Sequence, residues 1–341
     1  MSDEVIVDIE GSRFEGWQGV TITEAIDQVA DAFSIMSPFD PTREDMRLKF
    51  KPFSYRKAKI YIGSDSVLTG LVESVSPKED AGNRSLSVQG RSLAGPMLDC
   101  DIDDEGYEYS GLALSTIAKK LSRRFGVTIL ARNDTNPIAE ASASVGDTPA
   151  GYIQKLSEGF GLNVWSDEQG RLIIGYPPRA TAPVASIRSG EFPYLSGSAT
   201  YDGTKRFSRY RIVGSDFGQP DITGEALDAG IVPYRPKIEK LNDKSPTEPS
   251  TTAKRARALG LAQGTGATIE VEGWRDASGA IWRKGTTISL YAPGIMVRQT
   301  TAYIIAGLTR KMDESAGRKT TLSLVLPQAY QNEMPSRYPW D

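Results

Sequence analysis

The chain has 341 residues, 39% of them apolar, with 40 basic and 43 acidic side chains and a net charge of −3. That is enough for two or three packed domains, and no run of 18 apolar residues offers a transmembrane helix. There is no histidine and a single cysteine, Cys100. This excludes Ser-His and Cys-His nucleophilic pairs, zinc sites that need imidazole, and an intrachain disulfide. Carboxylate-only and Ser-Lys chemistry stay open. The acidic opening "MSDEVIVDIEG" has no apolar signal region, so synthesis and retention in a cytoplasm are expected. The charge is uneven. Residues 1–100 carry 11 basic and 16 acidic groups (−5), residues 101–185 carry 8 and 11 (−3), and residues 186–341 carry 21 and 16 (+5). A nucleic-acid grip is normally much more basic.

In chain order, "EVIVDI" at 4–9 alternates as a strand, and "GWQGVTIT" is a second strand. Ile26, Val29, Ala30 and Phe33 fall at helical spacing, which predicts a short helix or bulged turn. Strands at 57–62 and 67–75 form a hairpin across "GSDS", and "SLSVQGRS" returns after the polar tip "KEDAGNR". The first hundred residues read as a small, bent antiparallel barrel. Residues 112–125 form an amphipathic helix with Leu114, Ile117, Ala118, Leu121 and Phe125 on one face, stopped by Gly126. A second helix starts at Thr148-Pro149 and stops at Gly161. "PPRATAP" at 177–183 is a linker. Strands resume at "YLSGSATYDG" and "TKRFSRYRIVGS". Residues 215–250 read as a long loop, 251–262 as a helix, and the remainder as strands up to an irregular tail at 331–341.

Two internal repeats stand out. "LSRRFGVTI" (121–129) returns as "LSEGFGLNV" (156–164). The repeated letters are core and helix-stop positions, and Ser122 and Ser157 are the only repeated reactive groups, so a duplicated helix-to-strand scaffold is the reading. At larger scale, "VESVSPKEDAGNRSLSV" resembles "LTRKMDESAGRKTTLSLV": strand, acidic tip, basic residue, return strand. The expected fold is mainly β with an α+β insert, two similar antiparallel β-barrels flanking a duplicated helix-strand region. The expected divisions are 1–100, 101–183, 184–330 and a tail at 331–341.

The segments "FEGWQGVTITEAIDQVADAFSI", "LTGLVESVSPKEDAGNRSLSVQGRSLAGPMLDC" and "GWRDASGAIWRKGTTISLYAP" resemble the baseplate hub proteins of contractile phage tails. The likeness is to the Mu-type, late-control-D group, which is related to the N-terminal part of VgrG spikes, and it spans about 10–330. The matching positions are Gly16, Trp17, Gly90, Arg91, Leu98, Asp99, Gly126, Gly161 and Trp282, all structural. The resemblance implies a homotrimer whose six barrels adapt a sixfold tail tube to a threefold spike around a channel for DNA. It implies partners in the central spike and the tail tube or distal tube protein, with tape measure and baseplate wedge proteins as further neighbours. Localisation would be the virion tail baseplate, after assembly in the host cytoplasm. No cofactor, metal, catalytic residue, stable nucleic-acid binding or membrane insertion is expected. The opposite charges of the first and last segments suit alternating barrels in a ring.

Several features carry rival readings. The acidic run Asp99, Asp101, Asp103, Asp104, Glu105 fails the calcium-loop spacing and reads as a solvated loop. Carboxylates could serve a cell-wall hydrolase, but each acidic cluster lies in a turn, where a raised pKa is not expected. "TKRFSRYR" at 204–211 interleaves cations and aromatics as a stacking surface does, against the reading of a barrel strand with one charged face. "GLAQGTGA" lacks the Lys-Ser/Thr ending of a phosphate loop and reads as a helix stop at Gly264. Cys100 is expected to be a small buried hydrophobe. A VgrG-like secretion adaptor remains a third reading, one needing a separate spike partner.

Overall fold

The computed structural model describes residues 3–104, 106–214, 222–240, 248–313 and 317–341. The first part of the chain contributes β1 (Val5–Ile9), β2 (Ser12–Phe14), β3 (Gly19–Ala25), β4 (Ala32–Pro38), the short helix α1 (Glu44–Lys49), β5 (Lys57–Ile62), β6 (Asp65–Asp80) and β7 (Asn83–Ser92). The period-two burial of β1, β4, β5 and β7 reflects their alternating sequences. These strands enclose one core, built on Ile9, Ile22, Ile35, Ile60, Ile62 and Leu68. Trp274 and Ile281, from far along the chain, complete it.

A second core belongs to the middle of the chain. It contains α2 (Pro96–Asp99), α3 (Leu114–Ser122) with a 3-10 turn at Arg123–Phe125, β8 (Ile129–Ala131), α4 (Pro149–Gly159), β9 (Asn163–Ser166) and β10 (Leu172–Gly175). Leu114, Ile117, Ala118 and Leu121 are buried along α3, the face expected from their spacing. Thr148 caps α4 by accepting from the Gly151 N–H at 3.1 Å, with Pro149 in the first turn. The strands form their own sheet, β8-β10-β9.

The last part holds β11 (Ala185–Arg188), β12 (Tyr194–Tyr201), β13 (Arg209–Gly214), β14 (Ile222–Leu227), β15 (Pro236–Lys240), α5 (Pro249–Gly264), β16 (Thr265–Glu272), β17 (Thr287–Ala292), β18 (Val297–Asp313), β19 (Gly317–Val325) and α6 (Gln328–Gln331). β11, β12 and β16–β19 surround a third core, with Ile269, Ile288, Leu290, Ile305, Leu322 and Leu324 at its centre.

The main sheet has 13 strands, in the order β12-β16-β19-β18-β3-β4-β7-β6-β5-β1-β2, with β17 joining β18 to β11. Its arrangement is duplicated. Ranked along the chain, β1, β3, β4, β5, β6 and β7 lie side by side as 2-3-6-5-4-1. Strands β11, β12, β16, β17, β18 and β19 give the same order. Five of the six strands also repeat the antiparallel sense; β1 meets β5 antiparallel whereas β11 meets β17 parallel. Each long hairpin carries a bulge at the same place, Glu73 between Val72 and Ser74, and Ala306 between Ile305 and Gly307. The two halves are joined by a continuous antiparallel ladder from Gly307↔Ala25 to Asp313↔Gly19.

Four expectations are corrected. Neither half closes on itself by strand pairing: among the described residues the sheet is one open path through both. The segment 215–250 is not a plain loop. Its described parts supply β14 and β15, which flank β13 in a separate sheet, β14-β13-β15. Thr223, Glu225 and Leu227 alternate with Gly224 and Ala226, too weak an apolar pattern to read as a strand without its partner. "TKRFSRYR" therefore feeds this small sheet and not the main one. Cys100 is exposed, because it follows α2 on the surface. Between β3 and β4 the chain makes a turn, and Ile26, Val29 and Ala30 are buried by the rest of the molecule. Glu105, residues 215–221 and 241–247, and the second acidic tip at 314–316 lie outside the described residues.

Candidate functional site

The positions singled out in the sequence are core, turn and helix-stop positions, and one pair of them, Arg91 and Asp99, bridges two packing units. Gly16 has φ +77° and turns the chain so that Trp17, buried, donates its indole N–H to the Val5 carbonyl at 3.1 Å. Gly90 admits no side chain: a Cβ would sit 1.9 Å from the Leu71 carbonyl oxygen and 2.6 Å from the Phe33 ring. Arg91 holds both carboxylate oxygens of Glu73, at 2.7 and 3.0 Å, and reaches Asp99 Oδ1 at 3.1 Å. It thus ties β6 and β7 to α2. The Arg91 side chain holds the Asp99 carboxyl below its usual range, and both carboxylates push the guanidinium further up. Leu98 packs against the second core. Gly126 and Gly161 adopt φ +68° and +79° behind the two helices. Trp282 is buried in the third core.

What the sequence reading missed is the buried polar junction between these units. Lys284 Nζ lies 2.6 and 2.7 Å from the two oxygens of Asp31 and 3.2 Å from the Ala25 carbonyl. Asp31 is 1% exposed. Burial pushes its carboxyl up to about 7; Lys284 opposes the shift and Glu24 adds to it. The Asp31 N–H donates to Ser92 Oγ at 3.2 Å. Ser92 Oγ lies 2.7 Å from Ser166 Oγ, which donates onward to the Val29 carbonyl at 2.7 Å. One hydrogen-bonded chain therefore links the β3–β4 turn, the end of β7, the middle unit and the last segment. Asp31, Ser92 and Ser166 are buried and Lys284 is half-buried, and each has a partner, which is how a polar junction can be kept inside a fold.

Next to it, Arg310 and Glu24 form a fully buried ion pair across the β18·β3 ladder, and Arg310 also donates to the Trp282 carbonyl. Arg275 adds a third clamp, with Asp3 at 2.7 Å and Asp65 at 2.8 Å. Among the described residues, four ion pairs join the first unit to the last, and in each the cation comes from the last. The opposite charges of the two ends are thus used inside one chain. The sequence signal was present in "WRKGTT" and "TITEA", but nothing local shows that these segments meet.

The groups considered for chemistry are committed elsewhere. Asp103 pairs with Arg124, and Asp104 with Lys120 at 2.8 Å. Ser122 and Ser157 are buried and donate to the Lys119 and Ile153 carbonyls of their own helices, at 3.4 and 2.7 Å. Arg206 is buried against Asp228, with contacts of 2.8–3.0 Å, and also meets the Tyr338 hydroxyl. Tyr210 is buried, its hydroxyl accepting from the Phe207 N–H. Neither side chain is free to stack on a base. A cleft of about 1050 Å³ opens between α4 and α5, with Glu158, Tyr176, Arg255 and Tyr330 in its walls. Arg255 spans it to the Glu158 carbonyl.

Three family models match the chain in succession. Residues 4–92 match the N-terminal part of the Mu phage baseplate assembly protein GpP-like family. Residues 94–176 match the second domain of the baseplate hub protein gp44-like family, and residues 245–333 match the fourth domain of the Mu phage baseplate assembly protein GpP. The chain belongs to the Mu-like phage baseplate hub family. Its relative in Escherichia phage Mu, baseplate hub protein gp44, is 24% identical over 343 residues, covering 95% of this chain and 88% of that one. The fold is shared with the 43 kDa tail protein of prophage MuSo2 from Shewanella oneidensis, at TM-score 0.82 and 23% identity over 96% and 99% of the two chains. It is shared equally with a tail protein from Neisseria meningitidis, at TM-score 0.82 and 20% identity over 98% and 99%. This mainly β hub fold is thus that of phage tail proteins, and the junction residues above are what hold its units together.

Proposed function

We propose that this chain is a non-enzymatic hub of a contractile-tail baseplate, acting as a trimer. Each copy contributes two barrel-like β units, so three copies present six similar units in a ring. Such a ring offers sixfold contacts to a tail tube or distal tube protein on one side. It offers threefold contacts to a central spike on the other. The middle unit, 101–183, decorates the ring, and a central channel opens for DNA once the spike leaves. Tape measure and wedge proteins are the expected further neighbours, in a virion tail assembled in the host cytoplasm.

One observation carries this reading: the strand order 2-3-6-5-4-1 occurs twice and the copies are fused edge to edge. Two like units joined by one ladder supply one of the joints that such a six-unit ring needs. Closed rings need heterologous interfaces, and an internal joint between unlike edges is of that kind. The motif residues Gly90, Arg91, Leu98, Asp99 and Trp282 are then joint and core positions with no chemistry of their own. The rival, a cell-wall hydrolase, needs two carboxylates facing each other across a cleft, one with a raised pKa. Asp31, whose carboxyl burial raises, is buried inside the fold and held by Lys284.

The test is light scattering of the purified chain with a peptidoglycan-cleavage assay on the same sample. A mass three times 37.1 kDa without cleavage is expected. A monomer that releases peptidoglycan fragments would replace the hub with the hydrolase.

A further inference from the structure

The duplicated unit has two kinds of edge, and the internal joint uses one of each. The outer edge of β18 beyond its bulge, residues 307–313, is covered by β3. The corresponding stretch of β6 beyond its own bulge is Ser74–Asp80. β5 pairs only with residues 65–71 of β6, so this stretch has no strand on its outer side among the described residues. Likewise β3 corresponds to β12, which ends the sheet path. One joint is made inside the chain, and the same two edges are left over.

Exposure follows the pairing. Gly19, Val20, Thr21, Ile22, Thr23, Glu24 and Ala25 correspond through the ladders to Ser196, Gly197, Ser198, Ala199, Thr200, Tyr201 and Asp202. At every one of these seven positions the residue near β12 is in a more exposed class than its counterpart in β3. Along β6, Ser74, Val75, Ser76, Pro77 and Glu79 are each more exposed than Gly307, Leu308, Thr309, Arg310 and Met312. An edge of this length left open is a template for another strand.

We propose that Ser74–Asp80 of one copy pairs antiparallel with Ser196–Asp202 of the next, in the register that the internal β18·β3 joint sets. This rests on the trimeric reading above and names the surface that makes it. Carrying the internal register across gives Ser74↔Asp202, Val75↔Tyr201, Ser76↔Thr200, Pro77↔Ala199, Lys78↔Ser198, Glu79↔Gly197 and Asp80↔Ser196. Each copy has one such edge of each kind, so the contact is head-to-tail, and in the trimer proposed above three of these contacts close the ring. In the internal joint the Ile26 N–H donates to the Ala306 carbonyl at 2.9 Å, which makes 24/308, 22/310 and 20/312 the mutually hydrogen-bonded pairs. Between copies, Tyr201, Ala199 and Gly197 then aim their backbone groups at Val75, Pro77 and Glu79. Pro77 has no N–H to give, so this ladder has one bond fewer than the internal one. The buried Arg310–Glu24 pair becomes Pro77 and Tyr201. The joint between copies is the weaker of the two, as suits one that must assemble.

Ser76 and Thr200 would face each other as a non-hydrogen-bonded pair, with Cα atoms about 4.5 Å apart, a separation that a disulfide spans. In a Cys100→Ser background, Ser76→Cys with Thr200→Cys is expected to oxidise to covalent dimers and trimers and nothing larger. The off-register pair Ser76→Cys with Ser196→Cys is expected to stay monomeric on a non-reducing gel. Ala199→Pro removes the last bond of the Pro77↔Ala199 pair and none inside the chain. It is expected to give a monomer by light scattering with unchanged circular dichroism and melting temperature. A trimeric parent chain that fails to cross-link at 76/200, cross-links equally at 76/196, or stays trimeric with Ala199→Pro would overturn the joint and leave the hub reading standing. A parent chain that is monomeric at its highest attainable concentration would overturn both.

Discussion

Burial holds the Asp31 carboxyl at about 7 although Lys284 touches both of its oxygens. Between the ordinary value of 3.8 and about 7, the folded chain keeps a proton that the unfolded chain has released. Stability therefore falls as pH rises through that window. The expected outcome for Asp31→Asn is a flatter dependence of the urea midpoint between pH 4 and 7; an unchanged slope would mean that Asp31 does not titrate there. Arg310 poses a different demand. Arg310→Met leaves Glu24 buried without its cation and is expected to cost about 3–5 kcal/mol by urea denaturation, most of it recovered in Arg310→Met with Glu24→Leu. Gly90→Ala would drive a methyl into the Leu71 carbonyl, and a loss of about 1–3 kcal/mol or more is expected. Glycine at 90 was legible as part of a motif. The pairing of Asp31 with Lys284 was not, because 253 residues separate them.

Helices α3 and α4 were legible element by element. Their apolar spacing, the Thr148-Pro149 start and the glycine stops are local signals, and each acts within a turn or two of chain. Gly126→Ala and Gly161→Ala force a side chain into the left-handed region, and each is expected to lower stability by about 1–2 kcal/mol, read as a shift in melting temperature. Strands were less legible. β14 and β15 carry few apolar residues, and their strand state comes from pairing with β13, with β14 also packing against α5. The basic segment at 204–211 shows the same limit. Its composition fits a nucleic-acid surface, yet Asp228 and Tyr338 claim Arg206 from a distance.

Across the whole molecule, three cores are distinct but not equally self-sufficient. The middle core draws on residues 93–174 apart from Val29. The first core takes Trp274 and Ile281 from the last segment. A fragment of residues 94–176 is therefore expected to melt cooperatively by itself. A fragment of residues 1–92 is expected to lack a cooperative transition, since it lacks Trp274 and Ile281, which complete its core. Calorimetry on the two fragments distinguishes these outcomes. The same interleaving fixes the two β units to each other: four ion pairs, a seven-residue ladder and a shared core hold them together.

The sequence by itself determined the β-rich class, the duplicated helix-to-strand unit, the two similar hairpins, the absence of histidine chemistry and the resemblance to phage hubs. All of these are written in short-range spacing, composition or motif order. Only the tertiary structure decided that the two β units share one sheet, that Lys284 and Arg310 pair with Asp31 and Glu24, and that two matching strand edges are left uncovered among the described residues. Strand pairing and buried charge pairing act between residues far apart in the chain. No window of sequence contains both partners.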